Sequence, residues 1–293
     1  MNLSVVIPNL NSPVLDQTLA ALADQTWPLA QTEVVVVGLD RYGHVARFPF
    51  ARLLDTRTPA SAARARNLGV QATTGAVVVF LDADGVPRPD WLARYAAWFA
   101  RPDVAVVGGG VTFAWDAPYW SVAENISTFY PTHVSAPPGE RPNLPTLNLA
   151  VRRAALYRVG LFDERYPKAA GEDTDLTVRL RRAGYPLHFD PVIVVEHRQQ
   201  RATPRAVWRK AWDMGYYSLK VDPRYEADMG LPRPLRHPLA LRLASPAVAA
   251  SVTLDVYRSR PALRRRPVWP GVYLAKLAWC WGAAHRLAGR RSP

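Results

Sequence analysis

The sequence predicts an α/β fold, a Rossmann-like, mostly parallel sheet flanked by helices, followed by a C-terminal helical extension. Two observations carry this prediction in the first two thirds of the chain: short β-branched runs recur, and helical spacing fills the gaps between them. A third is the change to a basic, tryptophan-rich composition after residue 203. Residues 3–7, 33–37 and 76–81 are the first runs, continuous enough for strands buried on both faces. Between the first two, Leu15, Leu19 and Leu22 recur at helical intervals and Trp27-Pro28 marks a stop, which makes a βαβ unit. Residues 61–72 are rich in helix formers and close at Thr74-Gly75, residues 89–100 offer another helix, and residues 104–107 read as a further strand. Residues 114–145 hold six prolines, a density that predicts a long irregular excursion. Regular patterning resumes at 146–151, with helices over 153–159 and 172–183, then two short apolar segments at 187–189 and 192–195.

Composition sets the outer limits. With 293 residues, 49% hydrophobic and 21% charged, the chain buries a sizeable core, and disorder, collagen and coiled coil are excluded. Cys280 is the only cysteine, which rules out a disulfide scaffold and argues against a cysteine zinc site. The start of the sequence lacks a basic leader, so a cytoplasmic location is expected. The formal charge of +13 is uneven: residues 1–203 hold 20 basic and 19 acidic side chains, residues 204–293 hold 17 and 5. This contrast predicts two parts, a nucleotide-binding catalytic domain over 1–203 and a basic helical region over 204–293 that meets an acceptor or an anionic surface.

The chemistry concentrates in acidic motifs. In Phe80-Leu81-Asp82-Ala83-Asp84-Gly85 a buried strand empties into two carboxylates one residue apart, which in extended backbone project to one side. Ligands of parallel α/β sheets bind at that edge, and paired carboxylates there call for a divalent cation, Mg2+ or Mn2+, that also takes diphosphate oxygens. The alternative is an Asx turn capping the next helix. Gly171-Glu172-Asp173-Thr174-Asp175 opens a helix with three acids in four residues, more than its dipole needs, and one of them fits a general base. His197, at the end of an apolar run, suits a site otherwise made of oxygen ligands, or else is a polar loop histidine. Arg64 and Arg66 lie on the helix before the D-x-D strand, either within reach of donor phosphates or on a solvated face.

Taken in order, Ser4-Val5-Val6-Ile7-Pro8-Asn9-Leu10-Asn11, Ala65-Arg66-Asn67-Leu68-Gly69, Phe80 to Asp84, Val159-Gly160-Leu161-Phe162-Asp163-Glu164 and Gly171 to Leu176 resemble family 2 glycosyltransferases of the GT-A fold. The resemblance covers about residues 2–200 and implies transfer of a sugar from a nucleotide donor, a UDP- or GDP-sugar, with inversion at the anomeric carbon. By that likeness Asp82 touches the ribose or the metal, Asp84 binds the metal, Asp173 is the catalytic base and Glu172 helps position the acceptor. Pro8, Asn9, Asn11, Asp40 and Arg66 fall on the donor side, and His197 matches a histidine that approaches the metal or diphosphate. The register after the second strand departs from the family: Gly38-Leu39-Asp40-Arg41 stands where two aspartates followed by Gly and Ser are usual, which leaves the choice of base open. Gly85 also replaces a further acidic residue.

In the basic region, residues 268–284 are nearly apolar, with Trp269, Tyr273, Trp279 and Trp281 and a single charge at Lys276. A bilayer span takes about 20 apolar residues, so this run reads either as a helix lying in an anionic membrane interface or as one covering the protein's own surface. Residues 239–257 form a companion helix. The resulting expectation is a metal-dependent inverting glycosyltransferase, peripheral at the inner face of the cytoplasmic membrane. Its acceptor would be lipid-linked or a saccharide, in cell-surface polysaccharide or glycolipid synthesis. Two alternatives remain: a nucleic-acid-binding protein gripping phosphates with its tail, which leaves the acidic motifs without a task, and a catalytically silent nucleotide-sugar-binding protein.

Overall fold

The computed structural model describes residues 2–291. In chain order the elements are β1 (Leu3–Leu10), α1 (Leu15–Ala23), β2 (Thr32–Leu39), β3 (Ala51–Asp55), α2 (Ala62–Gln71), β4 (Val77–Leu81), β5 (Gly85–Pro87), α3 (Trp91–Phe99), β6 (Val106–Thr112) and α4 (Tyr119–Phe129). There follow β7 (Gly139–Glu140), β8 (Asn148–Arg152), α5 (Arg153–Arg158), α6 (Glu172–Arg182), β9 (Leu187–His197), α7 (Pro204–Tyr216), α8 (Glu226–Met229), α9 (Pro238–Ser259) and α10 (Trp269–Leu287). The chain forms two compact units. One runs to Thr112 and resumes over Thr132–Arg198; the other comprises Phe113–Pro131 and the residues from Gln199 onward. The first unit ends at Arg198, and the segment around α4 groups with the C-terminal residues.

In the first unit the described strands build one sheet in the order β3-β2-β1-β4-β8-β6-β9-β5, with β7 on β9. The β3-β2-β1-β4 half is all parallel, as expected of the fully buried runs in β1 and β4. Beyond β4 the sheet is mixed, because β8 runs antiparallel to both β4 and β6. The two apolar segments after residue 187 are one strand, β9, whose register against β6 shifts at Gly109/Gly110. Glycine is required at that irregularity: a Cβ on Gly110 would lie 2.5 Å from the Pro191 carbonyl oxygen, and one on Gly109 would lie 2.2 Å from Asn148 Nδ2. Asn148 is fully buried and saturated there. Its oxygen accepts from Trp91 Nε1 at 2.8 Å and Tyr95 Oη at 2.7 Å, and its amide donates to the carbonyls of Gly110 and Ile193 at 3.0 and 2.8 Å.

The sequence missed β3, a half-exposed edge strand with no continuous apolar run. It also missed α4, which interrupts the expected irregular excursion. Pro118 occupies the N-cap of α4 and Pro131 lies past its end, so no proline falls inside, and proline is tolerated at both positions.

In the second unit α4 is tied down by the chain after residue 199. Buried Glu124 takes both carboxylate oxygens to Arg201 Nε at 2.9 and 2.7 Å, and Gln199 Nε2 donates to the Ser121 carbonyl at 3.1 Å. α10 is an inner helix of this unit, with Val272, Ala275, Ala278, Ala283 and Ala284 buried. It crosses α7 closely through glycines on both sides: a Cβ on Gly215 would lie 1.9 Å from the Trp279 carbonyl oxygen, and one on Gly282 2.0 Å from that of Trp212. Its apolar run is therefore mostly used in packing. Among the described residues one helix, α9, is long and apolar enough to cross a membrane by length and composition, and only a minor share of it is buried. Lys276 donates to the Ser127 carbonyl at 2.6 Å and lies 5.0 Å from the centre of the Tyr130 ring. Burial, helped by Lys220, lowers its ammonium from near 10.5 to about 8.

Two predictions follow from these packings. Asn148→Leu leaves two buried donors and two carbonyls unpaired and lowers unfolding free energy by roughly 2–4 kcal/mol in urea titrations. For Lys276 the folded pKa is the lower one, so the penalty of holding an ammonium inside is complete below pH 8 and disappears as pH rises toward 10.5. Lys276→Met therefore melts above the parent at pH 7, and the gap narrows in thermal scans taken between pH 8 and 10.

Candidate active site

The site is assembled at the carboxyl ends of β1, β2 and β4 in the first unit. Its centre is Arg66 on α2, only 3% exposed, whose Nη2 donates to Asp82 Oδ1 at 2.8 Å and Nη1 to Glu172 Oε1 at 2.9 Å. Helix α2 presses against β1 at Gly69, where a Cβ would lie 2.3 Å from Val6 Cγ1, and this close seating carries Arg66 into the cleft. Burial alone would lower the guanidinium pKa; the charges of Asp82, Glu172 and Asp173 outweigh it and hold the group above its ordinary range. The end of β4 and the start of α6, far apart in sequence, thus share one buried cation.

Asn67, the next residue, completes the attachment. Its amide donates to the Phe162 carbonyl at 3.0 Å and to Glu164 Oε1 at 2.9 Å, while its oxygen accepts from Phe162 N–H at 3.0 Å. Gly171, at φ 92°, turns the chain into α6 with a backbone that favours glycine. The three acids of that first turn then divide their tasks. Glu172, buried, faces Arg66; Asp175, also buried, binds Arg179 Nε and Nη2 at 2.8 and 2.6 Å. Asp173 Oδ1 accepts from Thr174 N–H at 2.7 Å, and among the described residues its Oδ2 has no hydrogen-bond partner.

Asp84 is held by register. β5 pairs with β9 so that Gly85 stands opposite His197, and Arg198 N–H donates to the Asp84 carbonyl at 2.7 Å. This brings His197 Nε2 to 3.4 Å from Asp84 Oδ1. At Gly85 the acidic residue it replaces would have to displace side chains, since a Cβ would lie 2.9 Å from Leu81 Cδ1 and 3.0 Å from Val195 Cγ1. Ala83, between the two aspartates, accepts from Ser12 Oγ at 3.0 Å and Thr18 Oγ1 at 3.2 Å, which fastens the turn to α1.

The structure joins Arg66 to Asp82 and Glu172, with Asp173 next in the same turn, and sets Asp84, two positions beyond Asp82, against His197. Two expectations change in kind. Arg66 does not stand open to donor phosphates, because its Nη groups are committed to the buried Glu172 and the half-buried Asp82 carboxylates; Arg64 is exposed on the same helix. Asn9 and Asn11 help hold the loops together: Asn9 Nδ2 donates to the Leu39 carbonyl at 2.7 Å, and Asn11 Oδ1 accepts from Arg41 N–H at 2.8 Å. Pro8 lies opposite Val37 and Asn9 opposite Gly38, whose φ of 132° and contact with the Asn9 carbonyl admit only glycine. Asp40 closes the following turn by accepting from Val45 N–H at 2.8 Å, and its Oδ1 is buried with no partner among the described residues.

Residues 2–212 match the family model described as glycosyltransferase like family 2. The chain belongs to that family. It is 30% identical over 195 residues to glycosyltransferase AglE of Haloferax volcanii, covering 64% of this chain and 63% of the relative. It is 32% identical over 161 residues to the pre-mycofactocin glycosyltransferase of Mycobacterium tuberculosis, covering 51% of this chain and 33% of that one. The chain thus spans from a third to under two thirds of the length of these curated relatives. Its GT-A fold matches the mannosyltransferase PcManGT of Pyrobaculum calidifontis, solved with GDP-Man and Mn2+, at TM-score 0.67 and 22% identity over 99% of this chain and 88% of that one.

The family implies a divalent cation. Among the described residues no group of three or more His, Cys, Asp or Glu side chains forms a self-sufficient metal cage. The Asp84 carboxylate and His197 imidazole fit the sparser requirement of a cation that takes one or two protein donors and completes its shell from a substrate's phosphate oxygens. Asp82, paired with Arg66, lies one residue away from that pair. Sequence reasoning missed the clamp formed by Asn67, although it sits inside a quoted motif; helical spacing shows a face and does not name the partner across it.

Arg66→Met leaves Asp82 and Glu172 facing each other without a cation and lowers stability by roughly 3–5 kcal/mol in chemical denaturation. Arg66→Lys, which has no planar fork to span both carboxylates, recovers only part of that loss.

Proposed function

We propose that this family 2 member is a metal-dependent inverting glycosyltransferase that moves a sugar from a nucleotide-diphosphate donor to a hydroxyl acceptor. The observation that carries the reading is the buried Arg66, which joins a carboxylate ending β4 to one opening α6, while Asp84, two positions beyond Asp82, faces His197. Inverting transfer requires a base on one face of the anomeric carbon and charge stabilisation for the departing diphosphate on the other. Asp173, with its Oδ2 left over by the local hydrogen bonds, serves as the base that takes the acceptor hydroxyl's proton. Asp84 and His197 hold the cation, whose chemistry when bound is to neutralise charge growing on the diphosphate. Glu172 keeps the first turn of α6 fixed on Arg66, so that Asp173 meets the acceptor in one orientation. Asp82, ordered by the same arginine, faces the nucleotide ribose.

The donor is a UDP- or GDP-sugar; the mannosyltransferase that shares the fold was solved with GDP-Man. The acceptor is a lipid-linked or saccharide hydroxyl of cell-surface polysaccharide or glycolipid synthesis. The enzyme works at the cytoplasmic face of an anionic membrane, a reading supported by the basic surplus of residues 204–293 and by the exposed apolar residues of α9.

Asp173→Asn lowers transfer by roughly 10²–10⁴-fold while the nucleotide sugar still stabilises the protein in thermal scans; full turnover by this variant removes Asp173 from the base role. Chelation abolishes transfer and Mn2+ or Mg2+ restores it, whereas activity persisting after complete metal removal contradicts the role given to Asp84.

A further inference from the structure

The second unit contains a pocket of about 590 Å³, within the usual range for ligand sites, that the sugar-transfer reading does not use. Ala250, Thr253 and Leu254 of α9 form one wall, and Pro267, Trp269 and Tyr273 form another. Three polar features stand among this apolar lining. Tyr257 also lines the pocket, and its hydroxyl is buried with no hydrogen-bond partner among the described residues. Burial pushes that phenol up to about 12, so it remains a donor at every physiological pH. Arg264 uses its Nε on the Tyr257 carbonyl at 2.9 Å and Arg266 uses Nη1 on the carbonyls of Trp115 and Ala117, so each keeps guanidinium N–H groups that no described residue takes up.

The surroundings select the ligand. Leu239, Leu243 and Leu254 on α9 and Trp269 at the start of α10 are exposed large apolar residues in a unit with a strong basic surplus. Exposed leucines and a tryptophan beside arginines suit the interface of an anionic bilayer, and an apolar pocket lined by two of them, Leu254 and Trp269, suits one hydrocarbon chain. We propose that this pocket takes an acyl chain of an anionic phospholipid, with the lipid phosphate on Arg264 and Arg266 and the Tyr257 hydroxyl donating to an oxygen of the head region. This deepens the membrane reading above by naming its lipid contact, and it is independent of the sugar-transfer chemistry.

The full chain is mixed with phosphatidylcholine vesicles alone and with vesicles carrying phosphatidylglycerol, and binding is read by flotation. Quenching of tryptophan fluorescence by phosphatidylglycerol brominated on its acyl chains is read in parallel. Expected are binding to the anionic vesicles only, a fall of about tenfold or more for Ala250→Trp, which fills the pocket, and for Arg264→Glu, and loss of most quenching in Trp269→Phe. Unchanged melting of each variant and retained stabilisation by nucleotide sugar show that it is folded. Anionic binding that Ala250→Trp leaves intact, with quenching unchanged by Trp269→Phe, overturns the pocket while the general membrane reading survives. Absence of vesicle binding overturns both, whether the chain instead dimerises in sedimentation velocity or shifts RNA in a gel.

Discussion

A buried guanidinium between two carboxylates is the constraint on which the site rests. Arg66 cannot sit where it does without Asp82 and Glu172, since an unpaired charge at 3% exposure costs several kcal/mol, and neither carboxylate can face the other without Arg66. The three groups come from α2, the end of β4 and the start of α6. Their mutual need fixes the distance between the end of β4 and the first turn of α6. Such an arrangement contributes geometry more than net stability, because desolvation offsets much of the Coulomb attraction of a buried pair.

Around this core, each neighbouring feature removes a degree of freedom. Asn67 ties the loop at Phe162 to α2, Gly171 permits the left-handed entry to α6, and Arg179 neutralises Asp175. What remains of the acidic turn is Asp173, held on one oxygen by Thr174. On the other side, β5 and β9 set Asp84 against His197 through backbone pairing.

Much of this was legible in the sequence, for physical reasons that can be stated residue by residue. The runs in β1, β2 and β4 are buried on both faces and leave an unbroken apolar signature; the D-x-D at the end of β4 and the acids of α6 stand out because their local charge exceeds what capping requires. The sheet beyond β4 is less parallel than expected, since the direction of β8 depends on pairing that no local pattern records. The helix α4 was hidden by counting prolines rather than locating them, and β3 by its half-exposed edge position. Arg66 looked like a phosphate ligand because a helix position shows a residue's face and not its burial. The apolar run of α10 read either as a membrane-interface helix or as one covering the protein's own surface; the structure uses most of it inside its unit and leaves exposed leucines on α9.

The most direct measurement is a crystal structure grown with Mn2+ and a nucleoside diphosphate, with the manganese located by anomalous scattering. A single manganese on Asp84 and His197, bridged to the diphosphate and with Arg66 still between Asp82 and Glu172, is the predicted result. A diphosphate bound elsewhere, or manganese seated away from Asp84, contradicts the shared cleft.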